Sequence, residues 1–277
     1  MNLTIVGIRK FWPRAATIVS LLIAVGFVFL EFVLIGVSYN TSASQTGFDR
    51  SSLTWFLTFP SAFDAVLTIV FEFVAIIGLI YVVTASGSEW GWGTLKVAAA
   101  RGHSRWHYTL STFASLSIIV VIGMLLAFVA GVVAVMIGAS IAGLSFGNVA
   151  DPSQLGQVFI KLARCAIALV SLTSVGYVVA MIAKNQMAGI GAVIVYFIGS
   201  ILSDALLPEV VRQVLRYQPF NVAADAIGIA GPPSSAGAAS STANSLDPNL
   251  ALGVTVFWLV LCLAVSALAV ERAEITN

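Results

Sequence analysis

Charge is what this chain has least of. Among 277 residues there are 13 Lys and Arg and 12 Asp and Glu, only 9% charged, where an ordinary soluble domain carries about a quarter. With 59% of the residues hydrophobic, this scarcity excludes a soluble globular domain and marks an integral membrane protein. A net charge of +1 and the lack of any basic block give no ground for a nucleic-acid partner. The chain has no Gly-Lys pair, hence no phosphate-cradling loop of the form G-x-x-x-x-G-K-S/T, and cannot hydrolyse nucleotide by that route. Its two cysteines, Cys165 and Cys262, both fall in apolar runs, where small packing residues are expected. Its two histidines, His103 and His107, are spaced to share a helix face, but Ser104 stands where a zinc protease has Glu. They read as interfacial polar residues rather than metal ligands. With both confined to one segment, the many serines have no matching base, and no catalytic residue is assigned.

What fills the chain instead is one apolar run after another. A spanning helix needs about 20 such residues, and six blocks reach that length: Ala15–Val37, Phe63–Thr84, Thr109–Gly143, Val158–Ala183, Met187–Leu207 and Leu250–Val270. The expected fold is an all-α membrane domain over residues 1–277 with six transmembrane helices. The third block exceeds the roughly 30 Å hydrocarbon core and must tilt, kink or emerge. The first is longer than the about 7–15 apolar residues of a signal peptide and is expected to remain. The polar stretch from Pro208 to Asn249 is too short and too rich in small residues for a separate domain.

The flanks carry their own patterns. Residues 1–14 set Ile5, Val6, Ile8, Phe11 and Trp12 beside Arg9, Lys10 and Arg14, then turn at Pro13. This suits an interfacial helix on the inner leaflet, a frayed terminus being the alternative. Leu206, Leu207, Val210, Val211, Val214 and Leu215 recur at helical spacing opposite Glu209, Arg212, Gln213 and Arg216, which predicts a short external amphipathic helix before the last span. Residues 228–247 read as a flexible external loop. In the third block Ala127 and Gly131, then Ala134, Gly138 and Ala142, repeat every fourth position, a spacing that permits close helix approach. With the N-terminus inside, Arg9, Lys10, Arg14, Lys96, Arg101, Arg105, Lys184 and Arg272 lie on the cytoplasmic side, against Arg50, Lys161, Arg164, Arg212 and Arg216 outside. Both termini are therefore expected in the cytoplasm, with the protein in the cell membrane.

Between the second and third blocks runs the polar segment EWGWGTLKVAAARGHSR, Glu89 to Arg105. It is where a lipid-embedded protein meets an aqueous partner. Trp90, Trp92 and Leu95 can serve as apolar anchors, and Gly91 and Gly93 allow a sharp turn or close approach. The plainer reading makes the tryptophans membrane-belt residues and Glu89 a solvated loop charge.

Glu89, Gly93-Thr94-Leu95, Lys96, Arg101 and Ser104-Arg105 resemble the first cytoplasmic loop of ABC-2-type transporter permeases. Tyr217-Gln218-Pro219-Phe220-Asn221 and the closing Glu271-Arg272-Ala273-Glu274-Ile275 are similar to that family too, with Ala273 and Glu274 departing from its more typical Arg-Asp. The resemblance extends over essentially the whole chain. It implies the transmembrane subunit of an ATP-driven exporter, not itself an enzyme, whose short coupling helix docks on a separate ATP-binding subunit. Glu89, Trp90, Trp92, Gly93, Thr94, Leu95, Lys96 and Arg101 would form that contact. ATP and Mg would belong to the partner, and a second permease subunit, expected to be an identical copy, would complete the path. Hydrophobic drugs, antibiotics, peptides and lipids are the cargo classes the resemblance allows.

Ionisable groups within spans are costly in lipid and are functional candidates by default. Glu31 and Glu72 fall roughly 10–17 Å below the same boundary at 1.5 Å per residue, and Lys161 and Arg164 are the available partners. These four either form intramembrane ion pairs or line the translocation path. Two other classes remain open: an ion-gradient-driven secondary carrier using Glu31 and Glu72, and a non-transporting membrane adaptor.

Overall fold

The computed structural model describes residues 3–41, 50–100, 102, 104–145, 147, 149, 152–195, 213, 215–229 and 246–272. The helices within them are α1 (Leu3–Phe11), α2 (Ala15–Thr41), α3 (Arg50–Leu57), α4 (Ser61–Gly91), α5 (Thr94–Ala100), α6 (Arg105–Ala142) and α7 (Pro152–Ala183). They continue as α8 (Gln186–Val195), α9 (Pro219–Ile227) and α10 (Pro248–Glu271). Among the described residues five are long and apolar enough to cross a membrane: α2, α4, α6, α7 and α10. Of the predicted block Met187–Leu207, α8 covers the start, and residues 196–207 lie outside the described residues.

Most helices overrun their apolar blocks. α4 continues seven residues past Thr84, because the hydroxyls of Ser86 and Ser88 donate to the carbonyls of Val82 and Ala85, at 2.6 and 2.7 Å. Polar side chains satisfied by their own helix do not end it. The long third block resolves as one 38-residue helix, roughly 57 Å at 1.5 Å per residue, and so extends beyond a 30 Å core. α10 starts where Asp247 caps the amides of Asn249 and Leu250, with Pro248 in the first turn. α3 lies between the first two apolar blocks.

α2 lies along α6, α4 sits between α6 and α7, and α10 closes against α7. The small-residue stripe is the buried side of α6: Ala127, Gly131, Ala134, Gly138 and Ala142 are all inside. Backbones touch where Gly36 meets Gly138, since a Cβ at Gly36 would stand 2.5 Å from the Gly138 Cα and carbonyl oxygen. Both cysteines are buried, as expected.

Because lipid removes the apolar driving force between helices, hydroxyl bonds across them matter. Ser171 donates to the Thr255 carbonyl at 2.7 Å, joining α7 to α10. The fully buried Tyr177 donates to the Thr109 carbonyl at 2.8 Å, joining α7 to α6. Tyr177→Phe keeps the ring and removes that bond, so it is expected to cost about 1 kcal/mol, read as a small drop in melting temperature of the detergent-purified protein.

At the end of the bundle away from α5, the charge pairing differs from expectation. Lys161 binds Asp64 at 2.6 and 2.8 Å, tying α7 to α4. Arg164 donates to the Asn249 side chain at 2.7 Å, tying α7 to α10. Neither takes Glu31 or Glu72, because Asp64 lies at the same end of α4 as Lys161 does of α7. α9 buries Val222, Ala223, Ala226 and Ile227 against α7 and α10. Most of the amphipathic segment predicted over 206–216 lies outside the described residues; the helix described before the last span is Pro219–Ile227.

Candidate functional site

The α1–α2 junction and the start of α6 meet the end of α4 around one carboxylate. Glu89 is only 2% exposed. Its Oε2 accepts from the Lys10 ammonium at 2.5 Å, the Thr94 hydroxyl at 2.7 Å and the Tyr108 hydroxyl at 2.8 Å, and its Oε1 accepts from Arg14 Nη2 at 3.3 Å. Four helices and the α1–α2 turn thus converge on one group: Lys10 comes from α1, Arg14 from the turn, Glu89 from α4, Thr94 from α5 and Tyr108 from α6. A desolvated carboxylate is tolerable only when paired and hydrogen-bonded, and here two cations and two hydroxyls supply both. With these acceptor positions taken, Glu89 ties helices together.

The arms of this knot are themselves held. Arg14 lies with its guanidinium carbon 4.5 Å from the Phe11 ring centre and 4.8 Å from that of Trp92. The Thr17 hydroxyl donates to the Phe11 carbonyl at 2.7 Å, and Ser115 donates to the Thr4 carbonyl at 3.0 Å, fastening α1 to α6. The far side of α1 exposes Ile5, Val6, Arg9 and Trp12.

α4 ends at Trp92, where Gly93 takes φ +65°, a left-handed conformation that a side chain would strain. The turn lets a separate seven-residue helix, α5, begin at Thr94. Thr94 bonds to Glu89 twice, its hydroxyl lying 2.7 Å from Oε2 and 3.0 Å from the carbonyl oxygen. The start of α5 is therefore fixed to the knot. Beyond it, Trp92 is 65% and Val97 50% exposed. Trp90 instead turns inward, its indole donating to Met181 Sδ at 3.3 Å with the Lys184 ammonium 5.3 Å from its ring centre.

The segment expected to be one polar loop is thus the last turn of α4, a glycine turn and a short helix. Glu89 is buried in a knot rather than solvated, Trp90 packs against α7, and Trp92 is the exposed aromatic. The side chains of Leu95 and Lys96, and the whole of Arg101, lie outside the described residues. Lys10, Arg14 and Tyr108 were missed as partners. One signal for them is in the sequence: Glu89 is the single acid between Glu72 and Asp151, in a part of the chain otherwise supplied with cations.

In the spans, Glu31 is half-buried and Glu72 exposed. They come from neighbouring turns of α2 and α4 whose Phe27 and Phe73 rings stack at 5.3 Å. Among the described residues neither is in a salt bridge, and no group of three metal-ligating side chains occurs. No family model matches this chain, and no curated protein is significantly similar to it, so the reading of its function rests on the residues themselves.

Proposed function

We propose that this chain is the transmembrane permease subunit of an ATP-driven ABC exporter of the ABC-2 type. In this reading the α5 end is cytoplasmic, α1 lies along the inner leaflet of the cell membrane, and residues 187–207 supply a sixth span. Two such subunits, identical copies in the simplest case, surround the path, and each docks an ATP-binding subunit that holds ATP and Mg. The observation that carries the reading is the short helix α5, hinged at Gly93 and pinned at Thr94 to a five-residue knot around the buried Glu89, with Trp92 exposed just before the hinge and Val97 exposed on the helix. Such an arrangement converts a push on α5 into displacement of α1, α2 and α6 together, because Glu89 bonds to all of them or to their junction. Aromatic anchors dominate binding at interfaces, which gives Trp92 its role.

Trp92→Ala tests this. Affinity-purified chain is expected to bring down an ATPase whose recovery falls about tenfold or more in the variant, while the melting temperature of the isolated chain changes little. Equal recovery, or purification with no ATPase, overturns the reading. Glu31 and Glu72, in no salt bridge among the described residues, favour a second reading, an ion-coupled carrier; that reading expects transport by vesicles holding this chain alone, driven by an ion gradient without nucleotide.

A further inference from the structure

Away from α5, the outer half of α4, α9 and the first turn of α10 line an open cavity of about 520 Å³. That lies within the about 300–1,000 Å³ of small-molecule sites, which are mostly apolar with a few convergent polar groups. Phe71 and Glu72 come from α4, Phe220, Asp225 and Ile227 from α9, and Leu246 from the approach to α10. The Phe71 and Phe220 rings stand 6.0 Å apart, centre to centre.

The charges on this wall are unequal in their needs. Asp225 accepts from the Leu246 amide at 2.9 Å and feels Arg216. Arg164 reaches toward Gly228 but spends a donor on Asn249. Glu72 has no salt bridge among the described residues. A carboxylate in a span is stable when a cation or water-filled space meets it, and here it opens into a cavity whose remaining wall is largely aromatic and aliphatic. Aromatic faces also attract cations.

We infer that this cavity binds an amphipathic organic cation, its charged centre beside Glu72 and Asp225 and its apolar body against Phe71, Phe220 and Ile227. As a cargo site it rests on the permease reading above; as a binding site it stands by itself. Asp225, which no sequence pattern singled out, thereby joins Glu72 and Phe220 as a binding residue.

Two ions of the same size and shape and opposite charge provide the test. Tetraphenylphosphonium and tetraphenylborate are titrated against the full chain in non-ionic detergent by equilibrium dialysis, with micelle-only blanks. The phosphonium is expected to bind saturably and the borate not to compete. Glu72→Gln is expected to weaken phosphonium binding at least about tenfold, and Glu72→Asp, which keeps the charge, much less. Ala224→Trp, at an exposed position on the cavity wall, is expected to weaken binding at least about tenfold by obstructing part of the space and decides the matter if Glu72→Gln fails to fold. Equal binding of borate, or unchanged phosphonium binding in Glu72→Gln or Ala224→Trp, overturns the inference. Binding without any associated ATPase leaves the site standing and removes the exporter reading; an associated ATPase without phosphonium binding does the reverse.

Discussion

Glu89→Lys is expected to destabilise the α5 end of the bundle by about 3–5 kcal/mol, the cost of placing an uncompensated charge at a buried position. The substitution sets a third cation against Lys10 and Arg14 and takes the acceptor from the Thr94 and Tyr108 hydroxyls. A solvated loop charge would change stability by a few tenths of a kcal/mol instead, so the two placements of Glu89 are far apart in outcome. Thermal unfolding of the purified chain measures the loss, and limited proteolysis near residues 1–14 is expected to show α1 released first. Glu89→Gln keeps the shape and an acceptor oxygen and should lose less. Combining Glu89→Lys with Lys10→Glu restores one opposite-charge contact and should recover part of the melting temperature. A single variant that melts like the wild type removes the knot, and with it the route by which α5 moves the other helices.

The second large effect is steric. Gly36→Ala is expected to cost about 1–3 kcal/mol or more by overpacking, because the added methyl would sit 2.5 Å from Gly138 backbone atoms that cannot rotate aside. Gly138→Ala meets the Phe32 carbonyl oxygen at 2.6 Å and should behave alike. Both sites lie in the one α2–α6 crossing, so a shift that relieves one methyl also makes room for the other and the double variant should lose less than the sum of the singles. Gly26 on the same helix is the control: nothing lies within 4 Å of its added Cβ, and Gly26→Ala should be neutral or slightly stabilising, since Gly within a helix costs about 0.5–1 kcal/mol relative to Ala. Melting temperatures of the four proteins decide it. Equal losses at Gly26 and Gly36 contradict the close crossing of α2 and α6.

Hydropathy located the cores of α2, α4, α6, α7 and α10 because the cost of an unpaired backbone in lipid forces long apolar runs into helices. The small-residue stripe on α6 was legible for a related reason: only Gly and Ala let backbones approach so closely. The candidate site was harder to read. Ser86, Gly87 and Ser88 look like the start of a loop, yet the two serine hydroxyls bond within the helix and Gly87 packs against the Gln186 backbone, so α4 carries Glu89 inward. Which cation meets which carboxylate depends on how helices far apart in sequence align. Lys10 and Glu89 are 79 positions apart, and Lys161 and Asp64 97. No periodicity reports such a pairing. Asp64 in particular stands at the edge of its apolar block, where it is easily passed over as a boundary residue.

Val97→Cys offers the most direct test of the docking role given to α5. Val97 is half exposed, whereas both native cysteines are buried, so a thiol-linked photo-crosslinker on the intact complex attaches at this one place. The account expects irradiation in native membranes to capture a polypeptide that carries a G-x-x-x-x-G-K-S/T loop and hydrolyses ATP, with the yield lost in Trp92→Ala. Labelling of Val97→Cys from outside sealed cells, or capture of no nucleotide-binding polypeptide, would contradict it.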